Sequence, residues 1–403
     1  MTQRTTRAAC AAVLAGAMTA TACGGGHDIT GASLSEMEPL TLRYADYTSA
    51  SSAGPFQAFA DEVEERSGGV VTFDQFWGGS LLKGADMAQG IRGGVADIGM
   101  FTPSYYPSEY PVTDWMTKLG SAVESEYPLG AMQAFGALSD FALNEPAVTE
   151  QFEDRGMKLL FTWTPASNYH LACKEPVTSL ADAAGKRVRS GGAFNFTEIE
   201  AMGMVPVSLP TGEIYEGLQR GVIDCTVVSA KILVSLGIWE VAKHYVEVPL
   251  TGYTQFLVMN LDVWDSLPPD AQQAMWDALP TWHEEYLRQE SLILEQRKFD
   301  EGPEHGVQFH TADDAMVTAL RDHQQQVRAS LASDAPPGID DPAAVIDRYR
   351  ATLTEWRERL GTAGYDEPAP ESADPEETAL DLAPFRTDME NEVFGPLRPG
   401  DDR

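Results

Sequence analysis

The sequence predicts an α/β protein of two lobes joined by hinge strands and braced by a long helix. Three observations carry this reading. Met87 to Asp97 (MAQGIRGGVAD) is echoed by Ile214 to Asp224 (IYEGLQRGVID), both following apolar, two residues, Gly, apolar, two residues, then Gly-Val-x-Asp. Each copy closes a β-α-β-α-β order, which favours a parallel sheet with helices on its faces. After Leu267 a helical pattern of about thirty residues begins, about 45 Å if continuous.

In the first half, Thr41 to Ala45 (TLRYA) reads as a strand and Pro55 to Arg66 as a helix with Phe56, Phe59 and Val63 on one face. The strand VVTFDQF, a helix over Ala85 to Arg92 and the strand VADIGMF follow. The second half repeats this with KRVRS, a helix over Asn195 to Met202, MVPVSL, a helix over Gly212 to Gln219, and VIDCTVV. MKLLFTWTPASNYHLACKE reads as one or two strands running into the second lobe, and YTQFLVMN as the return. Two crossings make a hinge. Pro268 and Pro269 open the long helix, and Pro280 is expected to bend it. The expected division is lobe I over 39–168 and 252–280, lobe II over 169–251 and 281–360, and an extended acidic, Pro-rich tail over 361–403 in which Phe385 and Phe394 are the spots able to dock.

Composition narrows the function classes. The 403 residues hold 61 acids against 28 Lys and Arg, a formal charge of -33, so an anionic polymer would be repelled and nucleic-acid binding is not expected. The start, MTQRTTRAACAAVLAGAMTATACGGG, has a basic region at Arg4 and Arg7, a short run of apolar and small residues, and Cys23. This is the layout of a secretory signal over 1–22, too short for a stable membrane span. TATAC is similar to a bacterial lipobox, with Ala20 where Leu is usual, so Cys23 is the expected lipidation point and 23–38 a flexible tether. Cys173 and Cys225 then remain as an even pair in an exported chain, either one disulfide or two buried thiols.

Ligands of parallel α/β sheets sit beyond the carboxyl ends of the strands. That rule selects Tyr44 to Tyr47, Phe76 and Trp77, and Phe101 to Tyr105 in the first lobe, and Arg189 to Gly192, Leu209 to Thr211 and Val228 to Lys231 in the second. With the aromatics and neighbours beside those ends added, the candidate ligand residues are Tyr44, Tyr47, Trp77, Thr102, Tyr105 and Trp163 from the first lobe. From the second they are Arg189, Phe194, Asn195, Thr211, Val228 and Ser229. The aromatics among them have an equally ordinary place in a core. Arg189, at the end of KRVRS, is a guanidinium at a cleft mouth, whose planar fork grips a carboxylate in two places. Its bland alternative is a surface arginine paired with one of the many acids.

No reactive constellation accompanies these residues. The chain lacks G-x-S-x-G, H-E-x-x-H and G-x-G-x-x-G, ADAAGKRV lacks the first Gly and the Ser/Thr of a P-loop, and the seven histidines show no ligand spacing. Neither a cofactor nor a metal is expected.

The string SLADAAGKRVRSGGAFNFTEIEAMGMVPVSLPTGEIYEGLQRGVIDC resembles the core motif of the solute-binding proteins of tripartite ATP-independent periplasmic (TRAP) transporters, the DctP type. The likeness continues in LVMNLDVWDSLPPDAQQAMWDA and GGSLLKGADMAQGIRGGVADIG and covers most of Thr41 to Gly306. It implies a periplasmic-binding-protein-like fold: a monomeric extracytoplasmic receptor, anchored at most by a lipid on the outer face of the cytoplasmic membrane or periplasmic. Such a receptor closes on an organic acid and hands it to an ion-gradient-driven permease, and is not an enzyme. The family's selectivity arginine falls on Arg189. Where some members carry a second arginine this chain reads CKEPVTS, with Lys174 and Glu175. The pocket asparagine of sialic-acid binders corresponds to Val228 and an aromatic before the following helix to Thr211, so the expected ligand is a monocarboxylate or small dicarboxylate with an apolar or aromatic body. Binding proteins of ATP-driven transporters, ligand sensors on the same fold and, further off, an enzyme on this scaffold are the competing readings.

Overall fold

The structure is a computed structural model describing residues 27, 29–123, 127–164, 168–192, 194–366 and 378–400. The expected signal segment 1–22 and the expected lipidation point Cys23 lie outside the described residues. The strands are β1 (Leu40–Ala45), β2 (Val71–Phe76), β3 (Ile98–Phe101), β4 (Met157–Trp163), β5 (Asn168–Cys173), β6 (Arg187–Ser190), β7 (Val205–Ser208), β8 (Cys225–Val228), β9 (His244–Thr251), β10 (Gln255–Asn260) and β11 (Gln308–Thr311). They form two sheets, ordered β2-β1-β3-β10-β4 and β11-β9-β5-β8-β6-β7. The two-lobed α/β architecture expected from the sequence is therefore present, and the echo is its internal symmetry: β2-β1-β3 and β7-β6-β8 are both parallel triplets.

The repeated Gly-Val-x-Asp closes each triplet in the same way. Gly94 and Gly221 adopt φ of +69° and +68°, a left-handed turn that only glycine enters without strain. A Cβ on Gly90 would lie 2.4 Å from Leu82, and one on Gly217 would lie 2.9 Å from Leu209, so both glycines let a helix press against the preceding loop. The terminal acids then bind back to the first strand. Asp97 takes a two-point grip from Arg43 at 2.8 and 3.0 Å, and Asp224 the same from Arg187 at 2.8 and 3.0 Å. Each also accepts the backbone N–H of its arginine.

The chain crosses between sheets after β4 and returns between β9 and β10 through Gly252–Thr254. A third link is the helical run of Pro269–Asp277, Leu279–Tyr286, Leu287–Ile293 and Leu294–Glu301. It breaks at Ala278, two residues before the proline that cannot donate an N–H to the preceding turn. Its start packs on the lobe I helix Gly54–Arg66 and its end on the lobe II helix Ala230–Ser235. The segment Leu287–Ile293 is a π-helix, a widened turn that sequence reasoning did not foresee.

Two assignments need correction. The helix Pro342–Thr362, placed with lobe II in the 281–360 segment, packs on the lobe I helix Leu129–Asn144. Trp356 sits so close to Gly136 that a Cβ there would lie 2.2 Å from its ring, and its indole N–H bonds Asp140 at 2.9 Å. The end of the expected extended tail is likewise ordered: Ala383–Asp388 and Met389–Phe394 are helical, with Phe385, Met389, Val393 and Phe394 buried in the lobe I core. Burial of these apolar side chains outweighs the acidic composition that suggested an extended segment. In lobe II, Cys173 and Cys225 face each other across β5 and β8 and form a disulfide, which resolves the alternative left open above.

Candidate functional site

The two sheets present their strand ends to one another around a small cavity of about 40 Å³. It is lined by Tyr47, Thr48, Thr102 and Tyr105 from lobe I, by Arg189, Gly191, Thr211, Lys231 and Ile232 from lobe II, and by Tyr169, Tyr253 and Gln255 from the crossings. Of the twelve candidate residues, Arg189, Tyr47, Thr102, Tyr105 and Thr211 meet there.

The Gly185–Gly192 stretch explains the placement of Arg189. Alternation gives Arg187 and Arg189 the same face of β6, but Arg187, at the start of the strand, is exposed and held by Asp224, while Arg189, at its carboxyl end, turns under the Leu209–Thr211 loop and is 1% exposed. Its Nε donates to the Leu209 carbonyl at 2.8 Å and its Nη2 to Thr211 Oγ1 at 2.9 Å. Among the described residues no carboxylate lies within ion-pair distance of it. A buried cation without a counter-ion is costly, and that cost is recovered when an anion arrives. A guanidinium has five N–H donors, so Nη1 and the second Nη2 hydrogen are left for a ligand, which would meet the group end-on.

Glycines carry the loop past this group. A Cβ on Gly191 would lie 3.0 Å from Arg189 Nη2, and one on Gly192 2.6 Å from the Phe194 ring. Tyr253, in the crossing after β9, fixes the same loop: its hydroxyl accepts the Gly191 N–H at 2.7 Å and lies 2.6 Å from Ser190 Oγ. Burial raises the Tyr253 phenol and Arg189 draws it back.

On the far side, Tyr47 and Thr102 share a 2.5 Å hydroxyl contact, and burial holds the Tyr47 phenol well above its ordinary value. Beyond them lies a buried polar chain. Lys231 Nζ is 3.0 Å from Glu290 Oε2 and donates to Tyr286 Oη at 2.7 Å, and the Tyr286 hydroxyl donates to Gln255 Oε1 at 3.2 Å. Ser52 donates to Glu290 at 2.8 Å. Burial disfavours the Lys231 charge, but Glu290, Tyr286 and Asp46 together outweigh it and the ammonium is raised overall. The π-helix carries Glu290, on the lobe-bridging helix, to a lysine of lobe II.

The remaining candidates do not face the cavity. Tyr44 points to the helix side of β1, stacked at 3.6 Å on Phe56 with its hydroxyl on Asp46, so the expectation that it covers a ligand is corrected. Trp77 packs edge-on to Tyr44 and donates to Gln75. Trp163 is fully buried against Trp282 and Tyr286. Asn195 is consumed by Glu198 and the Thr251 carbonyl, Val228 by the lobe II core, and Ser229 caps the helix Ala230–Ser235. Phe194 stands behind Tyr253 and lines a separate cavity with Thr197 and Gln324. For Tyr44 and Trp163 the cause is alternation, since a strand's end does not fix which face its last residues show; Phe194 and Asn195 belong instead to the helix Phe194–Ala201, and Ser229 to a helix cap. The strand-end rule did reach Lys231. Tyr169, Tyr253 and Gln255 were missed because they belong to crossing segments that enter the sheets at the cleft.

Two α/β lobes, joined by crossing strands and closed over a buried, unpaired cation, define a binding protein for small solutes. Residues 48–334 match the DctP family, described as bacterial extracellular solute-binding protein, family 7, and the chain belongs to it. A solute-binding protein of Albidiferax ferrireducens is 29% identical over 54% of this chain, which spans 62% of that protein. The 2,3-diketo-L-gulonate-binding periplasmic protein YiaO of Escherichia coli is 26% identical over 76% of this chain and 92% of its own. A Bordetella pertussis extracytoplasmic solute receptor binding pyroglutamic acid superposes with a TM-score of 0.64 at 20% identity, covering 77% of this chain and 99% of its own. Among the described residues no helix is long and apolar enough to cross a membrane.

Proposed function

We propose that this TRAP-type extracytoplasmic solute receptor captures a small organic acid by its carboxylate and delivers it to the membrane permease of its transporter. The observation that carries the reading is Arg189, buried and without an acidic partner among the described residues, in a chain with more than twice as many acids as bases. An incoming carboxylate takes the free Nη1 and Nη2 hydrogens. Closure excludes water, which strengthens the ion pair. Tyr47, Tyr105, Tyr169 and Tyr253 then surround the body of the acid. The pyroglutamic acid bound by the Bordetella receptor is a ligand of this chemistry. Cleavage before Cys23 and lipidation there tether the receptor outside the cytoplasmic membrane, the closed form being what the permease reads.

The test is a thermal-shift and calorimetric screen of residues 24–403 against organic acids, repeated with Arg189→Ala. A ligand bound only by the folded form raises the melting temperature. The reading requires at least one monocarboxylate hit that the variant loses while remaining folded; hits that persist undiminished in the variant make Arg189 structural and sink it.

A further inference from the structure

We propose that the cavity has a second recognition point, formed by Lys231 and Gln255, which selects acids carrying a neutral hydrogen-bond acceptor in addition to the carboxylate. The inference rests on Arg189 as the carboxylate anchor and adds the class of acid.

The direction of the buried hydrogen-bond chain fixes the chemistry of this wall. An ammonium can only donate, so the 2.7 Å contact makes the Tyr286 oxygen the acceptor for Lys231. The Tyr286 hydrogen is then free to go to Gln255, 3.2 Å away, and it needs the amide oxygen there. That orientation leaves the Gln255 NH₂ without a protein partner among the described residues. Lys231 has three N–H bonds, of which Glu290 and Tyr286 take two. The free hydrogens of both residues belong to side chains that line the cavity. The hydrogens this wall leaves free are the Gln255 NH₂ and the third Lys231 N–H, with Gln255 Oε1 turned to Tyr286, and a ligand group placed against them has to accept.

Charge decides which acceptor. Arg189 is unpaired, but Lys231 already has Glu290 at 3.0 Å, with Asp46 as a further acid on the same side. Burial raises the Asp46 carboxyl, and Lys231 together with the hydrogen bonds that Asp46 accepts from Tyr44 and Thr48 offsets that rise only in part. A second carboxylate at this wall would meet a lysine whose charge is balanced and two buried acids. A carbonyl or hydroxyl oxygen meets the same donors without that repulsion. The matching ligand is thus a monoanion with a lactam, keto or hydroxy oxygen, short enough for both ends to be held between the closed lobes.

The experiment uses matched acids with the folded receptor, read by calorimetry: pyroglutamate against cyclopentanecarboxylate, 4-oxopentanoate against pentanoate, 3-hydroxybenzoate against benzoate, and the dianions succinate and glutarate. The tightest-binding acid is expected to be an acceptor-bearing monoanion, preferred over its plain partner by about tenfold or more, as one additional charge-assisted hydrogen bond gives. In Gln255→Leu and in the paired variant Lys231→Met with Glu290→Gln, which removes both members of the ion pair, that preference is expected to fall to about twofold. Equal binding of the plain acids by the wild type, a dianion binding tightest, or an undiminished preference in both variants would overturn the second recognition point while leaving the carboxylate reading standing. If no acid of the set binds the wild type, or if binding survives Arg189→Ala, the carboxylate reading itself fails and the second point falls with it.

Discussion

Tyr105 of lobe I and Thr211 of lobe II share a hydrogen bond across the cleft, their hydroxyl oxygens 2.9 Å apart. The same Thr211 oxygen accepts from Arg189 Nη2. One hydroxyl thus touches both the anion-binding group and the opposite lobe, so occupation of the guanidinium and closure are coupled through it. Tyr105→Phe removes the interlobe bond and leaves Arg189 intact. A typical net hydrogen bond of about 1 kcal/mol would raise the open-to-closed ratio of the free receptor about fivefold. Small-angle scattering of wild type and variant checks this; unchanged dimensions would mean that the contact does not govern closure.

The paired forks differ in depth, and their removal should differ accordingly. Asp97 is fully buried beneath Arg43, whereas Arg187 and Asp224 are both partly exposed to water. Arg43→Ala leaves a buried carboxylate without its guanidinium and is expected to cost about 3 kcal/mol in denaturant unfolding. Arg187→Ala should cost far less, since solvent already screens that pair. Equal losses would contradict the burial argument.

The carboxyl-terminal segment closes the lobe I core, and its tightest contact is one ring against one glycine. Trp356→Ala should destabilise by about 3 to 5 kcal/mol through cavity formation. Gly136→Ala should cost about 1 to 3 kcal/mol, because its Cβ is built 2.2 Å from the Trp356 ring. Removal of 335–403 would expose the apolar face of Leu129–Asn144, which increased binding of a hydrophobic dye would report.

Acid should weaken the fold through two buried imidazoles. Burial lowers His283 to about 3 and His170 to about 4. Their folded values lie below the unfolded one, so the unfolded chain binds more protons and stability is lost as pH falls from about 6.5 toward those values. Between pH 7 and 4.5 each histidine should cost about 2 to 3 kcal/mol. Denaturation midpoints across that range, compared with His283→Gln, check the sign: the variant should lose less on acidification than the wild type.

Much of this architecture was legible in the sequence because it rests on local patterns. Glycine at a left-handed turn, apolar spacing on Pro55 to Arg66 and the repeated Gly-Val-x-Asp all act over a few residues. Arg189 was legible because it stands at the carboxyl end of a strand, just before Gly-Gly, and on the position of the family's selectivity arginine. Tyr44 and Trp163 were misread because only tertiary packing decides whether a strand-end aromatic turns to the cleft or to the helix layer. The segment after Gly361 was misread for a related reason: its average composition is acidic, while the four apolar side chains that dock it are spaced along a helix. Gln255 carries no local mark at all, as its role comes from a hydrogen-bond chain spanning three distant parts of the polypeptide.

The widened turn at Leu287–Ile293 can be regarded as a phase adjustment in a shaft. An α-helix advances about 100° and 1.5 Å per residue, so accommodating one extra residue in a single turn shifts the angular phase of everything beyond it by about a quarter rotation. Here the shaft is anchored to one lobe before the widened turn and to the other after it. The angle at which the two lobes confront each other is therefore indexed by a single residue, and its deletion would turn one half of the receptor out of register with the other while leaving each half intact.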